Sequence, residues 1–118
     1  MAFTDFGLEK IGSYIIGDAS IYPGSMAFGN SGSAFIGSQA YLGGEFYRKK
    51  VSWTFGADPT ATVTISSTEG NGSYFNELGL VGGVTLGSDA FSRDLSAIGS
   101  KNNTFDVDIS MTVRVRRP

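Results

Sequence analysis

The most regular pattern in the chain lies near its C-terminus, where apolar and polar residues alternate without a break from residue 104 to residue 116. The apolar positions are Phe105, Val107, Ile109, Met111, Val113 and Val115. Successive side chains of a strand point to opposite faces of a sheet, so the alternation predicts one long strand with a buried face and an exposed face. A strand of this length exceeds the usual five or six residues and could reach beyond its own sheet.

Shorter alternating or apolar runs, separated by glycine and proline turns, predict further strands upstream. The predicted ranges are residues 26–28, 48–55, 60–67, 74–81, 84–86 and 90–95. In the second of these, Val51, Trp53 and Phe55 are expected to share one face. Asn71-Gly72 predicts a reversal between two strands, in a loop longer than two residues.

One helix is predicted, over residues 4–15. Thr4 or Asp5 can cap its N-terminus, and Gly17 can end it. Leu8, Ile11 and Ile15 are spaced by three and four residues and so lie on one face of a helix; a strand at residues 14–16 is the alternative. The expected fold is an all-β antiparallel β-sandwich of about seven or eight strands with one short N-terminal helix, forming a single domain over residues 1–118.

Composition narrows the chemistry that the chain can perform. The 118 residues include no cysteine and no histidine, so disulfides, thiolate metal sites and histidine-based catalysis are excluded. A net charge of −2 gives no reason to expect nucleic-acid binding. No run approaches the eighteen or so apolar residues of a membrane helix. We therefore expect no enzyme activity, no cofactor and no membrane partner.

Acidic and glycine-rich segments offer weak alternatives to this expectation. Glu69 and Glu77 could form the acid–base pair of a small hydrolase, although scattered carboxylates always offer some such pair. Asp106 and Asp108 could bind calcium, but a solvated face is favoured because no calcium loop adjoins them. The segment 29–32 contains glycines like a phosphate-binding loop, but it lacks the required spacing and following helix, which favours a surface loop.

Basic and aromatic residues offer two further surfaces. The basic clusters are Arg48-Lys49-Lys50 and Arg114-x-Arg116-Arg117; either could protect a strand edge or contact an acidic surface. Arg114, Arg116 and Arg117 are the candidate partner-contact residues, because they close the long strand. A sugar-binding platform could be built from Tyr14, Tyr22, Tyr41, Tyr47, Tyr74 and Trp53, although a core role is favoured for Trp53.

Several segments in order along residues 26–117 resemble small virion proteins of tailed bacteriophages, which occur in tails, fibres and necks. They are Ala27-Phe28-Gly29-Asn30-Ser31-Gly32, Glu45-Phe46-Tyr47-Arg48-Lys49-Lys50-Val51, Asn76-Glu77-Leu78-Gly79-Leu80, Phe91-Ser92-Arg93 and residues 100–107. The N-terminal segment 4–8 also resembles the family's short helix. One departure is Val81-Gly82-Gly83, where the family often has an Asp- or Asn-rich turn.

The resemblance implies a structural virion component that assembles in multiple copies and links or decorates tail, neck, fibre or capsid parts. Its expected partners are further copies of itself and other virion proteins, with a glycan possible. No catalytic residue is implied. From their positions near strand starts, Glu45 with Arg48 and Glu77 with Arg93 are expected to form ion pairs. The alternative function is a carbohydrate-binding β-sandwich module.

Overall fold

A computed structural model describes residues 2–18, 20–56, 58–83 and 87–114 of the chain. This part forms one helix and seven strands: α1 (Asp5–Ile15), β1 (Ser25–Gly29), β2 (Glu45–Lys50), β3 (Ser52–Thr54), β4 (Thr60–Ile65), β5 (Tyr74–Val81), β6 (Asp94–Ser100) and β7 (Val107–Thr112). The strands build two antiparallel sheets, ordered β2-β1-β5-β6 and β3-β4-β7. The predicted all-β, sandwich-like fold with a short helix is confirmed.

The two sheets share one hydrophobic core. The four-stranded sheet contributes Met26, Phe28, Phe75 and Leu80, and the three-stranded sheet contributes Ala61, Val63, Ile65, Ile109 and Met111. In β4 and β7 every second residue is buried, as the alternation predicts. The predicted strand at residues 74–81 coincides with β5, whereas the one at 84–86 lies outside the described residues.

The last strand begins later and ends earlier than predicted: β7 covers Val107–Thr112, and residues 104–106 and 113–114 are outside it. Residues 115 and 116 of the predicted strand lie outside the described part of the chain. The partner strand β4 has six residues, and the ladder ends where the Val113 N–H donates to the Pro59 carbonyl at 2.9 Å. Proline has no N–H to return that bond. At the other end, one oxygen of the exposed Asp106 carboxylate accepts a hydrogen bond from the Ser67 N–H at 2.7 Å.

The predicted strand at residues 48–55 is wrong as a single element, because the chain leaves one sheet at Val51 and enters the other. β2 pairs with β1, whereas β3 pairs with β4. Alternation of apolar and polar residues indicates extended structure, but it does not show where a chain passes from one sheet to the other. Such crossings occur at the corners of sandwiches. Phe55 therefore lies beyond the strand and is 89% exposed rather than sharing a core face with Trp53.

The predicted strand at residues 90–95 is only partly present. Ala90 forms an isolated bridge with Val81, and β6 begins at Asp94. Between them the Phe91 N–H donates to the Leu80 carbonyl at 2.7 Å, while the Phe91 carbonyl accepts from the Thr4 N–H at 2.9 Å. Residues 91–93 are therefore used to attach the helix to the four-stranded sheet.

Helix α1 has the predicted extent, but Leu8, Ile11 and Ile15 do not form its most buried face. Thr4 caps it, accepting from the Gly7 N–H at 3.0 Å. Leu8 and Ile15 are 57% and 83% exposed, whereas Gly7 is buried. A Cβ on Gly7 would stand 2.2 Å from the Phe91 carbonyl oxygen, so the glycine allows the helix backbone to dock there. Helical spacing shows which residues share a face, but it does not show which face meets the core.

Candidate assembly surface

The open edges of the two sheets differ in how well they are protected against pairing. Edge strand β2 carries Arg48, Lys49 and Lys50 and pairs with β1 through a register shift. Edge strand β6 pairs with β5 through another shift, and edge strand β3 has only three residues. Lysines, bulges and shortness are the usual devices that prevent edge-to-edge association. Three of the four edges therefore carry such a device.

The fourth edge, β7, has none of these features over its described length. Its sequence is Val-Asp-Ile-Ser-Met-Thr, and it pairs with β4 through six consecutive residues without a shift. Among the described residues, β4 is its sole neighbour in the sheet. Asp108, Ser110 and Thr112 are exposed on the outer face, while Ile109 and Met111 are buried. β7 is thus a regular strand with an open side.

Residues next to β7 place opposite charges at its two ends. Asp106 precedes the strand and Arg114 follows it, and both are exposed. Arg116 and Arg117, the other two candidate contact residues, lie outside the described part of the chain. Asp108 accepts a hydrogen bond from the Thr64 hydroxyl at 2.5 Å. The described residues contain no group of three or more acidic side chains that could hold a metal ion, so the calcium alternative gains no support.

The upstream basic cluster is used inside the protein. Arg48 is buried and forms ion pairs with Glu45 at 3.0 Å and Asp89 at 2.7 Å. Burial alone would lower the pKa of Arg48, but hydrogen bonds to these two carboxylates outweigh it and raise that pKa. Lys49 pairs with Glu69 at 2.6 Å. The predicted Glu45–Arg48 pair is confirmed, and the cluster does not present three free cations to a partner.

Glu77 is the centre of a buried polar network. Its carboxylate accepts from the Arg93 Nε at 2.7 Å and from the N–H groups of Gly43, Gly44 and Ser31 at 2.7, 2.6 and 3.0 Å. Burial acts to raise the pKa of Glu77, but Arg93 and the three N–H groups together lower it. The predicted Glu77–Arg93 pair is confirmed. The glycine-containing loop at Ser31 thus binds a carboxylate of the protein itself.

Glu69 has a separate set of partners. It accepts from Lys49, from the Tyr47 hydroxyl and from the Ser66 N–H. The Lys49 and Tyr47 hydrogen bonds lower the pKa of Glu69 to about 2, and the bond to Glu69 raises the pKa of Tyr47 to about 12. A general acid needs a raised carboxyl pKa, whereas those of Glu69 and Glu77 are both lowered. The hydrolase alternative therefore gains no support from these two residues.

The aromatic residues divide into an engaged group and an exposed group. The Trp53 Nε1 donates to the Pro23 carbonyl at 2.9 Å, and the Tyr14 hydroxyl donates to the Ile21 carbonyl. Tyr22, Tyr41 and Tyr74 are exposed. Trp53 packs against the core, as expected. The six residues of the hypothetical sugar-binding platform are therefore not all available on the surface.

A second apolar surface lies on α1 and the segment that follows it. It consists of the exposed side chains of Leu8, Ile11, Ile15, Ile16, Ile21 and Tyr22. Ile11 also lines a cavity of about 240 Å³, together with Tyr14, Trp53 and Leu80. The face of α1 that carries Leu8, Ile11 and Ile15 is therefore exposed to a large part.

Two features of buried polar residues were not predicted from the sequence: the burial of Lys101 and the backbone donors that surround Glu77. Lys101 is fully buried, and its Nζ donates to the Asn71 Oδ1 at 2.8 Å. The Glu77 carboxylate was expected to meet Arg93, but its three backbone donors come from two distant loop segments. The glycine pair Gly43-Gly44 was the available signal, since closely spaced glycines allow backbone N–H groups to converge on an anion.

No protein-family model, curated protein or solved structure matches this chain. No helix in the described ranges is long and apolar enough to cross a membrane.

Proposed function

We propose that this protein is a structural component of a tailed-bacteriophage particle, where it assembles in multiple copies. It would link or decorate parts of the tail, neck, fibre or capsid, and its partners would be further copies of itself and other virion proteins. No substrate turnover is part of this proposal. The virion is the proposed location.

The observation that carries the proposal is the open edge of β7. Its six residues keep unbroken register with β4 and lack the protective features of the other edges. Adding a strand to such an edge supplies affinity through main-chain hydrogen bonds and specificity through alternate side chains. An assembly protein needs both properties.

The segments that resemble phage virion proteins support the proposal through their structural roles. Glu77 and Arg93 form a buried pair, and Ser31 donates to Glu77. Arg48 pairs with Glu45 on the same strand and with Asp89. Lys101, from the last resembling segment, is also buried. The resemblance therefore involves residues that build the scaffold, which is what a family defined by its scaffold would share.

Mass spectrometry and immunogold labelling of purified phage particles test this function. We expect the chain to be present in every particle in a fixed number of copies. Light scattering on the pure protein should show concentration-dependent oligomers. Absence from particles that carry their other structural proteins would refute the proposal.

A carbohydrate-binding module is the second candidate, because Tyr22, Tyr41 and Tyr74 expose aromatic surface. It predicts a glycan-array signal that falls when Tyr41 or Tyr74 is replaced by alanine. Tyr47→Phe is the matched control, since the Tyr47 hydroxyl is engaged with Glu69. A signal that does not depend on the exposed tyrosines would refute this candidate.

A further inference from the structure

The backbone N–H and C=O groups of β7 point in two directions: those of alternate residues face β4, and the others face the open side. The Val113 N–H donates to the Pro59 carbonyl at 2.9 Å, so Val113 is one of the residues whose backbone groups bond to the β4 side. Antiparallel strands alternate between residues that bond one neighbour and residues that bond the other. Residues 107, 109 and 111 therefore bond β4, and the N–H and C=O groups of Asp108, Ser110 and Thr112 point toward the open side.

Because only the even-numbered residues direct their backbone groups to the open side, few registers are possible for a second copy of β7 that adds to this edge. Outward-facing residues must lie opposite outward-facing residues, so even-numbered positions pair with even-numbered positions. Two identical strands related by a two-fold axis form an isologous contact. The possible axes then pass through single residues, and those that use most of the strand pass through Ile109, Ser110 or Met111.

Side-chain chemistry favours the axis at Ser110. This register places Asp106 of each copy opposite Arg114 of the other, and Asp108 opposite Thr112. Opposite charges across a strand pair stabilise it, whereas like charges destabilise it. The axis at Ile109 instead places Arg114 opposite Thr104, so its charge has no acidic partner. The axis at Met111 places Arg114 opposite Asp108 but pairs only residues 110–112 of the two strands with each other, whereas the axis at Ser110 pairs residues 108–112.

The inner face of the same register is also complementary. Ile109 of one copy lies opposite Met111 of the other, and Val107 lies opposite Val113. Ile109 and Met111 are buried core residues, and the two valines pack against that core. The apolar side of the joined strands therefore continues across the junction, as does the polar side.

We propose that β7 pairs antiparallel with β7 of a second copy about a two-fold axis at Ser110, held in register by reciprocal Asp106–Arg114 ion pairs. The two three-stranded sheets become one six-stranded sheet. This inference deepens the proposed function, on which it rests for self-assembly, by naming the contacting strand and its register.

Disulfide trapping tests the axis directly, because the chain has no cysteine of its own. In the proposed dimer the two copies of residue 110 form a hydrogen-bonded pair, with Cα atoms about 5.5 Å apart. That separation lies in the range of disulfides. We expect Ser110→Cys to form a covalent dimer under mild oxidation. The absence of such a dimer would overturn the proposal.

Thr62→Cys is the matched control. Thr62 lies directly opposite Ser110 on β4, and both residues are exposed. In the six-stranded sheet the two copies of residue 62 are three strand spacings apart, about 14 Å, which is too far for a disulfide. We expect no covalent dimer from this variant. Equal cross-linking of the two variants would show random collision and overturn the proposal.

Charge exchange tests the register. Asp106→Arg and Arg114→Asp should each weaken dimerisation by about tenfold, because each replaces two attractive pairs with repulsive ones. The double variant restores opposite charges, so its dissociation constant should return toward that of the wild type. Lys50→Asp, on the β2 edge, should leave dimerisation unchanged. Rescue of Arg114→Asp by Asp108→Arg instead of Asp106→Arg would overturn the proposed register.

The outcomes separate this inference from the proposed function. Cross-linking of Ser110→Cys by a chain that is absent from phage particles would support the strand pairing and refute the virion role. A chain that is present in particles and oligomeric in solution, but whose Ser110→Cys variant fails to cross-link, would keep the virion role and overturn the strand pairing.

Discussion

The four-stranded sheet contains buried charges, whereas the three-stranded sheet carries its polar side chains on its exposed face. Glu77 and Arg93 are almost fully buried in the first, and Arg48 is buried at its edge. In β4 and β7 the buried positions are all apolar, and Thr62, Thr64, Asp108 and Ser110 are exposed. The same chain therefore uses two different ways to specify a sheet.

This difference follows from what each sheet has to position. The buried charges bond to backbone groups of loops: Glu77 accepts from Ser31, Gly43 and Gly44, and Arg48 donates to the carbonyls of Gly83 and Gly87. In the three-stranded sheet, β4 and β7 pair through a regular alternation of buried apolar and exposed polar residues. Its β7 edge is left regular and open, which is the condition for joining another strand. A fixed scaffold and an open edge thus lie on opposite layers.

Replacing Glu77 with glutamine should give the largest loss of stability among the variants that compare the two sheets. Arg93 would keep its buried charge but lose its anionic partner, which should cost about 3–5 kcal/mol in the free energy of unfolding. Denaturant unfolding measures the change. Asp108→Asn, on the exposed face of the three-stranded sheet, should change stability by no more than about 0.5 kcal/mol. Equal losses in the two variants would break the distinction between the sheets.

The docking of α1 on the four-stranded sheet gives an intermediate effect. A Cβ at Gly7 would meet the Phe91 carbonyl carbon and oxygen at 2.8 and 2.2 Å. Because these are backbone atoms, Gly7→Ala should destabilise the protein by about 1–3 kcal/mol. Gly12, in the same helix, has nothing within 4 Å of its Cβ position, so Gly12→Ala should stabilise by up to about 1 kcal/mol. Thermal unfolding of the pair compares them, and a stabilising Gly7→Ala would contradict the close helix–sheet contact.

Features that depend on neighbouring residues were predictable from the sequence. The Thr4 cap, the run 74–81 and the alternation of Ala61, Val63 and Ile65 follow from capping chemistry and strand periodicity. The Glu45–Arg48 pair, whose residues are three apart on β2, was expected from its place near a strand start. These elements survive because their local preferences agree with the final fold.

Features that depend on which distant part of the chain a strand or helix packs against were not predictable. Nothing near Val51 indicates that β2 and β3 belong to different sheets, and the helical spacing of Leu8 and Ile15 does not show that Gly7 meets Phe91. The candidate contact surface on β7 likewise depends on a neighbour that is distant in sequence. Arg114 was identified as a candidate contact residue and Asp108 as part of a solvated face. The direction of the β7 backbone groups becomes known only once β4 is known as the neighbour of β7.

The smallest predicted effect concerns Glu69, which connects the two sheets. Its partners Tyr47 and Lys49 lie on β2, and Lys49 also donates to the Thr64 carbonyl of β4 at 2.7 Å. Glu69→Gln should therefore destabilise the protein by about 1 kcal/mol at neutral pH, the upper range for a partly exposed ion pair. Glu9→Gln, an exposed position on α1, should have almost no effect.

The pH dependence of that loss has a defined sign. The pKa of Glu69 is lowered from 4.5 to about 2, chiefly by Lys49, so the charged form is favoured by folding. Its contribution is fully present above pH 4.5 and disappears as the pH falls toward 2. The stability gap between the wild type and Glu69→Gln, measured by denaturant unfolding, should narrow over this interval. A gap that stays constant would mean that the Lys49–Glu69 contact does not couple the two sheets through charge.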